Sequence, residues 1–358
     1  MPQAITVQVK LQPDIILGGL LKSSSLCYIQ TVNSLVRRML EEDRRKVFST
    51  SEFKADLNSS VKNEAAKQAK SIVDKYHKNN DSDFATLAKP VISWNNQNYV
   101  FTSEGIVVPF MLNGKSERVT LPCIWTRRVN EQLNASKLGN LRITQKNNKW
   151  IAQIALEVIT PSLSNSTKVM GVDLGIKVPA ACLTEEEEVL FVGNGRKNKW
   201  IRRYHQYRRR KLGALKKPKA IIKSEDKEQR WMKDQDHKIS RSIVNFAISK
   251  NVGIIRLENL EGIRQTTRAS RKNNRSLSNW SFYRLASYIQ YKAGLVGIEV
   301  QFVDPKYTSQ SCPVCGKRHK AKDRKYICWD CGYTGHRDLV GAKNIITAPV
   351  LDGNNLAA

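Results

Sequence analysis

The spacing of apolar residues changes along the chain and predicts where strands give way to helices. In residues 1–12, Ile5, Val7 and Val9 alternate with polar neighbours, and this period of two predicts a first β-strand. In residues 13–83 the apolar side chains recur three or four positions apart, as on one buried face of an α-helix. That face is formed by Leu57, Val61, Ala65, Ala69, Ile72 and Tyr76. The chain is therefore expected to begin with one strand and to continue into a helical region.

The period of two returns in residues 84–166 and predicts several further strands. The stretch VISWNNQNYVF predicts a hairpin about an asparagine-rich turn, and GIVVPFML and RVTLPCIW predict two more strands. A second hairpin is predicted by LRITQKNNKWIAQIALEV, in which apolar residues alternate on both sides of a polar turn. We interpret these strands and the first one as a β-barrel-like domain that the helical region interrupts. The polar segment TPSLSNST, residues 160–167, is a plausible boundary.

The C-terminal half mixes buried strands with helices. Strands are predicted at KVMGVDLGI, EVLFVG, VGIIRLENL and IEVQFVD, and a helix is predicted at SFYRLASYIQYKAGLVG. The glutamates at 185–188 lie in the turn before EVLFVG, and we interpret them as a solvated hairpin tip. Strands and helices around a central sheet favour an RNase H-like α/β domain. The fold class expected for the whole chain is multidomain α+β.

The charge of the chain points to a polyanionic partner. The 358 residues include 60 Lys and Arg against 32 Asp and Glu, which gives a formal net charge of +28. Such an excess opposes compaction unless an anion offsets it, and nucleic acid fits better than a membrane because no strongly basic amphipathic helix is evident. No apolar run reaches the roughly 18 residues that span a bilayer. The N-terminus has no signal-peptide pattern, so a reducing, cytoplasmic location is expected.

Two pairs of cysteines near the C-terminus have the spacing of a metal site. Cys312 and Cys315 form one C-x2-C pair, and Cys328 and Cys331 form the other. A glycine follows each pair and allows the tight turn that directs backbone N–H groups toward the sulfurs. Four thiolates complete a tetrahedral Zn²⁺ shell, so the pattern predicts a structural zinc ribbon over residues 312–333. Two disulfides are the alternative.

The remaining cysteines and the nearby histidines are expected to play no part in this site. His319 and His336 lie close by, but four sulfurs already fill the shell. Cys27, Cys123 and Cys182 lie in apolar contexts and are predicted to be buried core residues.

Three carboxylates in otherwise apolar surroundings are candidates for a second metal site. Asp173 lies inside the predicted strand VMGVDLGI, where a charge is costly unless it is paired or binds a metal. Glu258 ends the strand VGIIRLEN, at the sheet edge where α/β proteins commonly place their sites. Asp338 begins a predicted helix. Together they could hold two divalent cations for phosphodiester hydrolysis, and Mg²⁺ suits such an all-oxygen site.

Each of these three residues also has an ordinary structural interpretation. An aspartate at a helix start is most often an N-cap, and a glutamate at a strand end is often a charge that faces a loop. Asp173, in a core strand, is the hardest of the three to explain without a function. The spacing by itself leaves both interpretations open.

A basic tract in the C-terminal half predicts a nucleic-acid interface. Residues 196–223 are rich in Arg and Lys with interleaved aromatic residues, so cations can neutralise phosphates while rings stack on unpaired bases. A second basic cluster, residues 266–280, follows the Glu258 strand and could act as a lid over the site. The candidate contacts are Arg202, Arg203, Tyr207, Arg208, Arg209, Arg210, Arg268 and Arg271. A solvated, partly helical surface is the alternative.

The order of several short motifs resembles the TnpB family. GVDLG, RLENL, YTSQSCPVCG, CWDCG and HRDLVGAKNI follow one another as in these transposon-encoded RNA-guided nucleases, which are relatives of compact type V CRISPR effectors. The last motif departs from the family pattern, in which Asn-Ala-Ala often follows the aspartate by one residue. Here Leu339, Val340 and Gly341 occupy that region, and the carboxylate itself is retained.

The resemblance implies a domain order and a role for each carboxylate. Asp173, Glu258 and Asp338 would be the catalytic, Mg²⁺-binding triad of a RuvC-like nuclease domain, where Mn²⁺ can substitute. The zinc ribbon with its four cysteines would be inserted before the last of the three. The implied domains are a wedge domain (1–12 and 84–166) with an inserted helical recognition domain (13–83), the RuvC-like domain (167–311 and 334–358), and the zinc ribbon (312–333).

The resemblance also implies partners and leaves alternatives open. The expected partners are a guide RNA derived from a transposon end and a target double-stranded DNA, cut next to a short flanking motif. A miniature type V CRISPR effector, a guide-directed DNA-binding protein without nuclease activity, and a strand-transfer transposase are the alternatives.

Overall fold

The chain folds into two compact units, one spanning Pro2–Ile159 and the other beginning at Thr160. The computed structural model describes residues 2–79, 84–263, 274 and 277–351. The mixed α+β class is confirmed, because both units combine helices with a sheet.

The first unit is built on a seven-stranded antiparallel sheet. Its strand order is β2-β6-β7-β1-β5-β4-β3. The strands are β1 (Pro2–Leu11), β2 (Val91–Trp94), β3 (Val100–Phe101), β4 (Gly105–Leu112), β5 (Lys115–Ile124), β6 (Lys137–Lys146) and β7 (Lys149–Ile159). The helices are α1 (Ile15–Glu41), α2 (Ser59–Asn79) and α3 (Arg127–Asn134). One hydrophobic core joins the sheet to all three helices.

The second predicted hairpin of this unit is confirmed. β6 and β7 pair antiparallel, and Asn147 and Asn148 between them both have positive φ, as a two-residue type I′ turn requires. Leu141 and Ile143 on one strand and Ile154 on the other are buried, as the alternation predicts.

The first predicted hairpin is wrong, because β2 and β3 do not pair. β2 pairs with β6 and β3 pairs with β4, at opposite ends of the strand order. The two ends nevertheless approach one another: the Trp94 indole N–H donates to the Pro109 carbonyl at 3.1 Å, and its ring packs edge-on against Phe110. Because of these contacts with β4, the Trp94 ring is completely buried. This burial depends on how the whole sheet closes and not on the sequence next to β2.

Helix α1 is long and apolar enough to cross a membrane, judged by length and composition alone. Asp14 caps its start by accepting a hydrogen bond from the Leu17 N–H at 2.7 Å. One face of α1, which includes Tyr28, Val32 and Leu35, is buried in the core of the first unit. The sequence contains no uninterrupted apolar run long enough to span a bilayer, as expected. The average hydropathy over 18 residues of α1, which include small and polar side chains, is nevertheless high enough.

The second unit has a five-stranded mixed sheet. Its order is β10-β9-β8-β11-β12, with β8, β11 and β12 parallel and β9 and β10 antiparallel to their neighbours. The strands are β8 (Val169–Asp173), β9 (Ala180–Thr184), β10 (Val189–Val192), β11 (Ile254–Glu258) and β12 (Glu299–Val303). The helices are α4 (Gly195–Ala214), α5 (Pro218–Ser249), α6 (Phe282–Gly294) and α7 (Arg337–Thr347). A small hairpin, β13 (Lys325–Ile327) and β14 (Thr334–His336), precedes α7.

Strand β9 was not predicted from the sequence. All five residues of AACLT are buried, so the segment shows no alternation, and Ala has little strand preference. The turn from β9 to β10 contains the four glutamates. Three of them pair with lysines from other parts of this unit (Glu186–Lys168, Glu187–Lys343 and Glu188–Lys250), so the tip is held by ion pairs rather than merely solvated.

The two faces of β8 have different neighbours, which decides where its aspartate points. Met170, Val172 and Leu174 belong to the core that contains residues of α5 and α6. Gly171 faces α7, where a Cβ on it would lie only 2.1 Å from the Ala342 carbonyl oxygen. Because side chains alternate along a strand, Asp173 shares the face of Gly171 and is directed toward α7.

Candidate active site

Two of the three predicted carboxylates lie side by side at the sheet edge. Asp173 ends β8 and Glu258 ends β11, and these parallel strands are paired with Leu257 opposite Val172. The next residue on each strand is the acidic one, so both carboxylates occupy the same face of the sheet. Strand pairing thus brings together two positions that are far apart in sequence.

The third carboxylate approaches through helix α7. Asp338 lies in the first turn of α7, whose N-cap is His336, so the ordinary interpretation of Asp338 as the cap is wrong. One turn further along, a Cβ built on Gly341 would lie 3.0 Å from the Asp173 Oδ2 atom. The Asp173 carboxylate is therefore packed against the helix that carries Asp338.

The electrostatics of the site show how closely the acids interact. The pKa of Asp173 is raised to about 8, first by burial and then by the negative charges of Glu258 and Asp338. Burial also raises the pKa of Glu258. Without a cation, protonation of Asp173 is therefore favoured near neutral pH, and a bound cation would reverse that preference.

Two residues outside the triad hold its outer members. The Arg324 guanidinium donates to Asp338 Oδ2 in a short, part-buried ion pair. The Thr308 hydroxyl donates to Glu258 Oε1. Sequence reasoning missed both: Thr308 lies inside the motif YTSQSCPVCG, but Arg324 is one of many basic residues and no sequence signal distinguishes it.

The carboxylate oxygens are less tightly clustered than the cysteine sulfurs. The four sulfurs all lie within 4.8 Å of one another, and the three acids do not form such a group. Like charges repel, and Arg324 and Thr308 each hold one of the acids through a hydrogen bond. A half-buried set of three carboxylates still fits divalent cations, because its chemistry is all oxygen and three acids exceed the positive charge that Arg324 supplies.

The cysteine cluster has the geometry of a metal centre. Cys312 Sγ lies 3.5 Å from Cys331 Sγ, and Cys315 Sγ lies 3.5 Å from Cys328 Sγ, which is too far for a disulfide bond. Gly316 and Gly332 both have positive φ, as the two knuckles require. Burial disfavours the Cys312 thiolate, but the N–H groups of Cys315 and Val314 outweigh it and lower the Cys312 pKa to about 7. The set fits a structural Zn²⁺.

The cysteine cluster packs directly on the helix that carries Asp338. Val340 of α7 shares a small core with Cys312, Cys328 and Tyr326. The Asn344 side chain donates to the carbonyl oxygens of Thr308 and Ser311, both at 2.7 Å. Arg324, Thr308 and Asn344 thus connect the cysteine segment to the carboxylates.

The other cysteines and the histidines have separate environments. Cys182 is buried as predicted, whereas Cys27 and Cys123 are only half-buried, so the prediction of core positions holds for one of the three. His319 Nε2 lies 2.5 Å from Asp330 Oδ2, and the His336 ring packs edge-on against Phe191.

The predicted nucleic-acid residues separate into different groups. Helix α4 places Arg202, Arg203 and Arg210 around one cavity, whereas Arg209 is paired with Glu228 at 2.8 Å. Tyr207 and Arg208 are exposed. Arg268 and Arg271 lie outside the described residues, as does most of the predicted lid. The exposed Trp200 ring stacks on Tyr204 on the same helix.

The chain is similar to known proteins over both of its units. A family profile described as "Cas12f1-like, TNB domain" matches residues 282–345. The CRISPR-associated endodeoxyribonuclease Cas12f1 of Sulfoacidibacillus thermotolerans is 32% identical over 232 residues, which are 60% of this chain and 53% of that protein. A TnpB-like protein of Methanocaldococcus jannaschii is 34% identical over 133 residues, 37% of this chain and 48% of that protein. The chain therefore spans about half the length of these two relatives.

One solved structure shares the fold over most of the chain. The cryo-EM structure of a Cas12f1–sgRNA–target DNA complex matches with a TM-score of 0.63 at 17% identity, covering 92% of this chain and 82% of that one. At this identity the match shows that the two chains share a fold. In sequence, the chain is similar to TnpB-like and Cas12f1 proteins.

Proposed function

We propose that the chain is an RNA-guided DNA endonuclease of the TnpB type, with a RuvC-like active site that depends on Mg²⁺. The observation that carries the proposal is the pairing of Asp173 with Glu258 at one sheet edge, near enough to Asp338 on α7 that burial and the charges of both acids raise the pKa of Asp173. The named relatives include Cas12f1 endodeoxyribonucleases, which supports nuclease chemistry. The five-stranded mixed sheet with a cysteine cluster before α7 is compatible with an RNase H-like fold.

In this proposal each residue has a definite task. Asp173, Glu258 and Asp338 would hold the divalent cations, which when bound supply an activated water and stabilise the leaving oxygen. Thr308 keeps a Glu258 oxygen in position through its hydroxyl. Arg324 orients Asp338 and carries positive charge at the edge where the phosphate of the scissile bond would lie. Mn²⁺ can replace Mg²⁺ because both accept carboxylate oxygens.

The other domains would bind nucleic acid. The wedge domain (1–12 and 84–166) and the helical recognition domain (13–83) would hold the guide RNA and its DNA partner. The RuvC-like segments (167–311 and 334–358) would cut, and the zinc ribbon (312–333) would stabilise α7. The guide is an RNA encoded at a transposon end, the target is double-stranded DNA, and such a complex acts in the cytoplasm of a bacterium or archaeon.

The decisive experiment uses the chain together with its RNA. The protein is purified with co-expressed RNA, the RNA is sequenced, and a plasmid library with randomised flanks is offered in the presence of Mg²⁺. The proposal predicts double-strand cuts beside one flanking motif, abolished in Asp173→Ala, Glu258→Ala and Asp338→Ala while RNA binding is retained. Binding of the target without cutting by the unsubstituted chain would instead identify a guide-directed DNA-binding protein.

A miniature type V CRISPR effector is the second candidate, because the similarity to Cas12f1 covers more of this chain than the similarity to the TnpB-like protein does. The two candidates share the same chemistry and differ in the origin of the guide. Sequencing the bound RNA separates them: a transposon-end transcript supports the first, and a repeat–spacer transcript supports the second.

A further inference from the structure

A cavity of about 840 Å³ lies in the second unit, close to the strand that ends in Asp173. Helix α4 forms one wall, and the residues at the start of α6 form the opposite wall. The floor is the loop that follows β8, including Gly175, Ile176 and Pro179. The volume is within the range of about 300–1,000 Å³ typical of small-molecule sites.

The position of this cavity relative to the carboxylates follows from the faces of the sheet. Asp173 points toward α7, whereas the cavity is lined by residues of α4, α5 and α6, including Asp236 and Leu285. Gly175 follows Asp173 by only two residues. The cavity is therefore on the other side of the sheet edge from the triad and belongs to a separate site.

The α4 wall is strongly cationic. Lys199, Arg202, Arg203 and Arg210 all line the cavity, and their spacing of three, one and seven residues places them on one face of the helix. Arg209, on a neighbouring face, instead pairs with Glu228. Of the many cations in the basic tract, only the four on this face of α4 line the cavity.

The protein offsets the charge of these four cations only in part, through the carboxylates of Glu228 and Asp236 near Arg202. Within the described part of the chain, none of them makes an ion pair, and the one carboxylate in the lining, Asp236, is held by Arg284 at 2.6 Å. Burial lowers the pKa of Arg202, and the nearby carboxylates of Glu228 and Asp236 oppose this effect without reversing it. The cavity is suited to an anion.

The opposite wall provides groups of a different kind. Asn279 contributes an amide side chain and the half-buried Trp280 contributes an indole ring, while the Ser281 side chain is hydrogen-bonded to Asp236. Arginine and lysine bind phosphate, an indole ring stacks on a nucleobase, and an amide reads base edges. One wall therefore suits a phosphate and the other suits a base, which together are the parts of a single nucleotide.

The loop that forms the floor is fixed against α4. The Gly195 N–H at the start of α4 donates to the Lys177 carbonyl at 3.1 Å, and a Cβ at Gly195 would lie 2.0 Å from the Ile176 carbonyl oxygen. This close approach is possible only for glycine. The floor and the cationic wall are thus held in one arrangement before any ligand binds, which lowers the entropic cost of binding.

We propose that this cavity holds a single unstacked nucleotide of a nucleic-acid strand, with its phosphate on the α4 cations and its base against Trp280. The inference rests on the proposed function and deepens it, because it assigns a nucleotide site apart from the cleavage site. The strand is either the guide RNA or the target DNA, and both offer the same phosphate and base.

Photocross-linking tests the position of the base. Short single-stranded oligouridine and oligothymidine, each with one 5-iodo base, are irradiated with the full chain after high-salt removal of bound RNA. Mass spectrometry then locates the adduct. We expect an adduct on Trp280. An adduct with oligouridine alone identifies the guide RNA as the source, and an adduct with oligothymidine alone identifies the target DNA. Adducts with both identify a site that accepts either strand. Absence of a Trp280 adduct with both oligonucleotides overturns the proposal.

Salt-dependent binding of the same oligonucleotides tests the phosphate contacts. Arg203→Ala and Arg210→Ala, both at exposed helix positions that tolerate alanine, should each weaken binding about tenfold and reduce the slope of log K against log salt by about 0.7. Lys211→Ala is the matched control, because Lys211 is exposed on the same helix and does not line the cavity. Equal slopes for the three variants and the unsubstituted chain contradict the proposal.

The failure of this inference is distinguishable from failure of the proposed function. Guided cleavage without a Trp280 adduct removes the nucleotide site alone. If the chain forms a Trp280 adduct but never cuts DNA, the nucleotide site is supported and the nuclease function is refuted. Asp173→Ala should leave the adduct yield unchanged, because Asp173 faces the opposite side of the sheet.

Discussion

The carboxylate of Asp173 is packed against the backbone of Gly341, one helical turn beyond Asp338. A Cβ at position 341 would lie 3.0 Å from Asp173 Oδ2, closer than such atoms normally approach. The contact joins the end of β8 to α7 and places two acids from distant parts of the sequence within electrostatic reach. The glycine that departs from the family pattern is therefore part of the site.

Gly341→Ala should separate stability from activity. Alanine favours a helix over glycine by about 0.5–1 kcal/mol, so the melting temperature should stay equal or rise. The new methyl group must displace the half-buried Asp173 carboxylate by a few tenths of an ångström, which should reduce Mg²⁺-dependent cleavage several-fold. Calorimetry and a cleavage assay measure the two effects. Gly19→Ala in α1, where nothing lies within 4 Å, is the control and should leave cleavage unchanged.

The raised pKa of Asp173 predicts a specific pH dependence of the metal-free chain. Between the unfolded value of 3.8 and the folded value of about 8, the folded state holds a proton that the unfolded state has lost. The free energy of unfolding should therefore fall as the pH rises through this window. Asp173→Asn removes the titration, so its melting temperature should exceed that of the unsubstituted chain at pH 8 and approach it near pH 4. Parallel melting curves at both pH values would contradict this.

Removing the Thr308 hydroxyl should weaken the metal site through Glu258. The hydroxyl lowers the pKa of Glu258 against the effect of burial, so Thr308→Val should raise that pKa further. A hydrogen bond to a charged group contributes about 1.5–3 kcal/mol, which corresponds to a loss of tenfold or more in Mg²⁺ affinity at neutral pH. The acidic limb of the pH–cleavage profile should move to higher pH. Thr308→Ser keeps the hydroxyl and should restore both properties; a serine variant as impaired as the valine variant would point to packing instead.

Arg324 should matter for cleavage more than for folding. Its guanidinium contacts Asp338 at the edge of the site, so Arg324→Ala should lower the cleavage rate at least tenfold while the zinc content stays at one ion per chain. Arg324→Lys should be intermediate, because an ammonium group cannot reproduce the planar contact. The control is Lys322→Ala, an exposed residue two positions away. A rate in Arg324→Ala equal to that of the control would exclude the role.

Cys328→Ser should impair both stability and cleavage, since the cysteine cluster packs on α7. Loss of one thiolate should release zinc and loosen Val340, whose side chain contacts the buried cysteines, together with Arg324 and Thr308. Metal analysis, folded yield and cleavage should all decrease. Cys123→Ser changes a half-buried thiol of the first unit and should keep the full zinc content. Unchanged stability and zinc in Cys328→Ser would refute a structural zinc site.

Prediction from the sequence succeeded where the signal was local. The alternation around Asn147 and Asn148 specified the β6–β7 hairpin, because a two-residue turn fixes the register of the strands that flank it. It failed for β2, which pairs with β6 across a long insertion, and for β9, whose burial on both faces removes the alternation. The catalytic role of the triad stays a prediction, although the structure pairs Asp173 with Glu258 at one sheet edge and packs Asp173 against α7, which carries Asp338.

The sequence by itself determined the chemistry that depends on short spacing and composition. Two C-x2-C pairs with their glycines define a four-sulfur site, and an excess of Arg and Lys favours an anionic partner. Only the tertiary structure decided which distant residues meet. Examples are the Asp173–Gly341 contact, the Arg324–Asp338 pair, and the cavity that four cations on one face of α4 line. Spacing within a helix or turn follows from local backbone geometry, whereas contacts between elements follow from how the whole core packs, which no short segment encodes.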